Sequence, residues 1–168
     1  MIVLGIDPGI AIVGFGLIQQ EGNHLKPIQY GSITTKAGLK TERRLKQIYD
    51  GMTQLFNKYK PDAMAIEKLY FNRNVTTAFT VGQARGVMLL AAEEAGVDVA
   101  EYTPLQIKQA VVGYGQAEKN QVQEMVKMLL HLKDKPKPDD VADGLAVAIC
   151  HAHSAGIQQL MTERGFQT

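Results

Sequence analysis

The stretch VLGIDPGIAIVGFGLI, residues 3–18, decides how the rest of the chain is read. Two apolar, strand-forming runs flank DPG, so residues 2–8 and 12–20 read as strands joined by a tight turn. The first run carries a carboxylate, Asp7, near its end, with glycines at Gly5, Gly9, Gly14 and Gly16 around it. An unpaired carboxylate is costly to bury. Asp7 therefore either opens a turn or is held there to bind something positive, and Gly9 suits a sharp bend past it.

Working outward, HLKPIQYGSITT reads as a third strand, irregular at Pro27, which completes an antiparallel meander. From Thr41 the period changes. Leu45, Ile48, Tyr49, Met52, Leu55, Phe56 and Tyr59 recur at threes and fours, predicting an amphipathic helix capped by Thr41 and ended by Lys60 and Pro61. DAMAIEKL follows as a short buried strand with Glu67 at its end, and YFNRN as a loop. Residues 75–95 predict a helix rich in small residues, with Gly82 and Gly86 four apart, and VDVAEY another strand. Thr103 caps a helix with Pro104 at its first position, running to about Val112. The glycine-bounded loop GYGQAEKN leads into a helix over 118–132, and KDKPKPDD into another over 139–155. Three strands, then helices alternating with two more, predict an α/β domain with one five-stranded mixed sheet flanked by helices. Residues 1–156 read as that single domain and 157–168 as a flexible C-terminal tail.

The 168 residues suffice for one domain with a real core. A lone cysteine, Cys150, forms no internal disulfide, which suits a reducing compartment. The start of the chain lacks a signal-peptide pattern, and no apolar run approaches the roughly 18–20 residues of a membrane span. The expectation is a cytoplasmic protein with no membrane partner. The net charge of +1 does not decide for or against nucleic acid, because distribution matters more than the sum.

Asp7 and Glu67 each end an apolar strand, so they lie side by side if those strands are neighbours. Asp140 and Asp143, three apart at a helix start, share one face, whereas Asp139 sits roughly 100° around it. Four carboxylates converging on one spot would repel and raise each other's pKa unless divalent cations sat between them. Hard oxygen ligands select magnesium or manganese, and two such ions suit in-line attack of water on a phosphodiester. Each acid also has a plain reading: Asp7 opening a turn, Glu67 pairing with Lys68, the helix-start aspartates favouring the dipole.

Tyr70 and Phe71, with Asn72, Arg73 and Asn74, place rings and polar groups in a loop beside these acids. A ring stacked on an unpaired base is worth about 1–3 kcal/mol, though one of the two rings can equally pack into the core. Lys36, Lys40, Arg43, Arg44 and Lys46 cluster around the first helix, and Arg85 and Lys108 add charge that could meet phosphate without reading sequence. His151 and His153, two apart on a helix, face different ways and share no metal, and Cys150 reads as a small core residue. Three rivals are weighed: a phosphotransferase built on the aspartate–glycine turn, which a chain of 168 residues without repeats argues against; a nucleic-acid binder that does not cut, which four carboxylates disfavour; and a nuclease acting on RNA or hybrids, which the residues themselves leave open.

GIDPG at 5–9, AIEKLYF at 65–71, GQARGV at 82–87, KQAVVGYGQAEKNQV at 108–122 and DDVADGLAVAICHAH at 139–153 occur in one order. In this the chain resembles the RuvC family of crossover (Holliday) junction endodeoxyribonucleases, from Met1 to about His153. The resemblance implies an RNase H-like fold and a homodimer. Each subunit would nick one of two symmetry-related strands of a four-way DNA junction, in recombination and repair, leaving 5′-phosphate and 3′-hydroxyl ends. It implies two Mg2+ per site, with Mn2+ able to substitute, held by Asp7, Glu67, Asp140 and Asp143. Lys119 joins them as a catalytic and DNA-binding residue, and Lys108 as a second functional lysine. It further implies stacking by Tyr70 or its neighbour Phe71, dimer contact through the GQARG helix, and a branch-migration motor as a cellular partner, while Arg73, Asn74 and Arg85 are offered as DNA contacts by their charge and polarity alone. Ile10 and Lys68 depart from the family's usual residues without removing a ligand.

Overall fold

The computed structural model describes residues 1–69 and 75–163. Its elements are β1 (Ile2–Asp7), β2 (Ile12–Glu21), β3 (His24–Thr34), α1 (Thr41–Tyr59), β4 (Ala63–Glu67), α2 (Val75–Glu94), β5 (Asp98–Tyr102), α3 (Pro104–Val112), α4 (Lys119–Leu129) and α5 (Asp139–Glu163). The sheet order is β3-β2-β1-β4-β5. β1, β2 and β3 form the antiparallel meander, and β4 and β5 join parallel to β1, as helical crossovers require. Pro27 is accommodated because β3 is an edge strand, opposite a register shift at Leu17/Ile18.

Two apolar layers sandwich the sheet. Leu4, Ile6, Val13, Phe15, Leu17, Met64 and Ile66 face α1 and α2, which contribute Ile48, Met52, Phe56, Ala84 and Met88. Val3, Ile18 and Ala65 face the other way, toward α3, α4 and α5. Along β1 this alternation leaves the odd positions, Gly5 and Asp7 included, on the α5 side.

Three boundaries differ from expectation. Thr41 is the first helical residue rather than the cap; Lys40 stands at that position, and no side-chain cap is made. α4 ends at Leu129, where the chain turns through Leu130 and His131. α5 continues to Glu163, so its backbone is helical through the first seven residues of the expected tail. Thr103 does cap α3: its side chain accepts from Gln106 N while the Gln106 side chain accepts from Thr103 N.

Candidate active site

The site is built where β1 and β4 end beside the start of α5. The parallel register pairs Ile6 with Ile66, so the next residues, Asp7 and Glu67, stand side by side on the α5 face. α5 then has to come close enough to bring Asp140 and Asp143 to them. Ordinary side chains on the sheet would hold the helix about 10 Å away; here glycines remove them. A Cβ on Gly14 would lie 1.7 Å from the Asp140 carbonyl oxygen, and one on Gly5 would lie 2.2 Å from the Gly144 carbonyl oxygen. Gly144 answers from the helix side, where a Cβ would lie 2.9 Å from Gly14. Helix backbone thus rests on strand backbone. The stretch that opens the sequence is glycine-rich because α5 lies against it. Gly9 has a similar explanation: its hypothetical Cβ would meet the Ile12 carbonyl oxygen at 2.1 Å, and close approach rather than a left-handed φ requires it.

Burial, then Asp143, Glu67 and Asp140, push Asp7 from its ordinary 3.8 up to about 8, with Lys119 pulling the other way. Burial and Asp143 also raise Glu67 against the opposing pull of Lys119 and Lys108. Asp143 is raised by burial, though its hydrogen bond from Lys119 works against this. Lys119 is the first residue of α4, and its Nζ lies 2.9 Å from Asp143 and 3.5 Å from Asp139. Burial opposes the charge on Lys119, but the hydrogen bonds and charges of Asp143 and Asp139 together outweigh it and raise the lysine. Asp139, expected to point elsewhere, therefore shares this lysine, from an exposed position.

Between α3, α4 and α5 a cavity of about 260 Å³ opens at the carboxylates. Its wall is apolar, with Ile107, Val122 and Val147, and Glu67, Asp143, Lys108 and Lys119 bring charge to it. Among the described residues no three carboxylates close on a single point as a ready-made metal cage. The donor set is nevertheless all oxygen and acidic, and burial with mutual repulsion lifts three of its pKa values, which fits a hard divalent cation.

Other expected contacts fall elsewhere. Arg85 pairs with Glu101 of β5 at 2.6 Å and is largely buried. Arg44 donates from Nε to Thr35, whose hydroxyl donates to the Ile10 carbonyl and so braces the turn after Asp7. Lys46 pairs with Asp50 along α1. Lys68 is exposed. Tyr70, Phe71, Asn72, Arg73 and Asn74 lie outside the described residues. His151 and His153 do part company: His151 meets the Tyr102 hydroxyl at 2.9 Å, and His153 donates to the Ala110 carbonyl at 3.0 Å. Cys150 is buried, and burial pushes its thiol up to about 11.

A pH dependence follows from Asp7. Its folded pKa is raised, so between about pH 4 and 8 the folded chain binds more protons than the unfolded one, and stability falls as pH rises. In chelator, denaturant unfolding should show several kcal/mol lost from pH 4 to pH 8, since each pKa unit is worth about 1.4 kcal/mol. Added magnesium should restore much of the loss at pH 8. A pH-independent midpoint would mean that Asp7 is hydrated.

The sequence matches the family described as Crossover junction endodeoxyribonuclease RuvC over residues 3–151. It is 67% identical to the RuvC of Brevibacillus brevis over 90% of this chain and 92% of that one. It is 59% identical to the RuvC of Alkaliphilus metalliredigens over 95% and 98%. The structure resembles that of Thermus thermophilus RuvC (37% identity, TM-score 0.88, 94% of this chain and 97% of that one). The same protein in complex with a Holliday junction substrate gives 35% identity and a TM-score of 0.86, over 94% of this chain and 96% of that one. The fold, though not the sequence, extends to the yeast mitochondrial Holliday junction resolvase Ydc2 (16% identity, TM-score 0.69). On the motifs, the sheet order and these likenesses, the chain belongs to the RuvC family of crossover junction endodeoxyribonucleases.

Proposed function

We propose that the chain resolves four-way DNA junctions by paired, symmetric hydrolytic nicks that leave 5′-phosphate and 3′-hydroxyl ends, in recombination and repair. The observation that carries this is the convergence of Asp7 and Glu67 with the α5 start on a glycine-lined contact, beside two lysines. Asp7, Glu67, Asp140 and Asp143 would hold the metal. Bound there, two magnesium ions (or manganese in their place) supply an activated water and a counter-charge for the leaving 3′ oxygen.

The chain's own groups do the rest. Lys119, whose ammonium has a third N–H beyond its contacts with Asp139 and Asp143, would stabilise charge on the phosphodiester as it reacts. Lys108 brings a second positive charge from α3 to the same cavity. Tyr70 or Phe71 stacks on a junction base, with Arg73 and Asn74 as further DNA contacts.

One site makes one nick, so paired nicks need two chains. α2 offers a surface for the second: Phe79 and Leu90 are exposed on it, and a Cβ at Gly82 or Gly86 would meet nothing within 4 Å. We read this face as the homodimer contact. A branch-migration motor would be the cellular partner, and the cytoplasm the compartment. No helix among the described residues is long and apolar enough to cross a membrane.

The test is cleavage in magnesium of a labelled four-way junction beside a linear duplex and an RNA–DNA hybrid. Paired nicks confined to the junction are expected. Cutting of the hybrid but not the junction would turn the reading toward RNA, and binding without cutting in either metal toward a pure junction binder.

A further inference from the structure

We propose that Tyr114 is a positioning residue that aims Lys119 at the reacting phosphate, acting through Gln121. The proposal rests on the reading of Lys119 given above. Lys119 carries its charge on a long, freely rotating stem, so its aim depends on where its backbone is fixed. It also sits at the wrong end of a helix: the positive pole of α4 disfavours a lysine at the first position. Something must hold that turn in place.

The first turn of α4 is tied on two sides besides its packing. Gln121 Oε1 accepts from the Glu118 backbone N–H at 2.8 Å, closing a capping box, and from the Tyr114 hydroxyl at 2.8 Å. From the α4–α5 link, Lys135 donates to Asn120 at 2.6 Å and pairs with Glu124 at 2.8 Å. Tyr114 reaches Gln121 because its loop folds back tightly. Gly113 takes a φ of 94°, and a Cβ on Gly115 would lie 2.0 Å from Leu105 Cδ1. The hydroxyl thus couples the end of α3, which carries Lys108, to the start of α4, which carries Lys119. Both lysines reach the cavity at the carboxylates, and it is the first turn of α4, with Lys119 at its head, that the Tyr114–Gln121 bond holds.

The experiment uses the full chain on a four-way junction in magnesium, with single-turnover cleavage and junction affinity measured separately for Tyr114→Phe, Lys119→Met and the double variant. Tyr114→Phe keeps the ring and removes only the hydroxyl. It should slow single-turnover cleavage roughly three- to tenfold, in line with the loss of one net hydrogen bond, and leave affinity within about twofold. Lys119→Met should lose much more. The double variant should be no slower than Lys119→Met, because the hydroxyl acts only through that lysine. A full Tyr114→Phe effect persisting on the Lys119→Met background overturns the proposal, as does no effect at all. An effect on affinity alone overturns it in favour of direct DNA contact by Tyr114. Wild-type cleavage by Lys119→Met would sink the underlying reading, and the positioning role with it.

Discussion

Gly14→Ala should lose both stability and cleavage. The new methyl would be placed 1.7 Å from the Asp140 carbonyl oxygen and 2.2 Å from the carbonyl carbon, and both belong to helix backbone rather than to a side chain that could swing away. Either α5 lifts or β2 sinks, and each disturbs a layer packed at crystal-like density. Overpacking of this kind costs about 1–3 kcal/mol where side chains can adjust, and more where they cannot. A fall in Tm of roughly 10 °C is expected for a chain of this size. The surviving folded molecules should also cleave poorly, because the residue struck is itself one of the four acids. Gly51→Ala is the control: there the new methyl meets only side-chain atoms of Ile33, at 2.8 Å or beyond, and the effect should be small. Equal losses at the two positions would mean that α5 does not depend on the glycine contact.

Asp7→Asn should separate the two consequences of one carboxylate. Cleavage of a four-way junction should fall at least about a thousandfold, the upper end of what losing one electrostatic stabiliser costs, because Asp7 stands between Glu67 and the α5 acids. Binding of the junction should survive. Stability should move the other way. An amide of the same shape carries no charge for burial and for Asp143, Glu67 and Asp140 to oppose, so in chelator at pH 8 the variant should outlast wild type. The difference should shrink toward pH 4, where the folded wild-type carboxyl is protonated and the unfolded one nears its ordinary 3.8. Cleavage at the wild-type rate would place the metal elsewhere. A variant less stable than wild type at pH 8 would mean that the charge of Asp7 is satisfied within the protein.

The four acids proposed to carry the chemistry are legible in the sequence because each follows a local rule. Asp7 and Glu67 interrupt apolar strands, and Asp140 and Asp143 share a helix face by spacing. The five strands, the capping of α3 by Thr103 and the divergence of the two histidines follow local rules as well. What escaped is tertiary. Nothing in the order of residues says that Gly5, Gly14 and Gly144 meet across a helix–sheet contact, since each glycine alone reads as a turn or a weak strand position. Arg44 and Arg85 look like phosphate contacts until the fold supplies Thr35 and Glu101. Gln121 is legible as the third position of a capping box, but its bond to Tyr114 depends on how a six-residue stretch between two helices folds back. Thr41 was misread because a good capping residue stood one position inside the helix it was meant to start.

The two halves of the site differ in how readily they can open. Asp140 and Asp143 ride on α5, whose residues from Val141 to Ala152 are largely buried from every side by the sheet, α3 and α4. Lys119 rides on α4, an eleven-residue helix with only Val122 and Val126 buried. In a hydrogen-exchange experiment the amides of α5 should therefore open only with the whole domain, while those of the first turn of α4 exchange through local fluctuation. The acids form the fixed half of the site. The lysine is the half that can be moved, by a bound strand or by a change in the loop before it, without the domain unfolding.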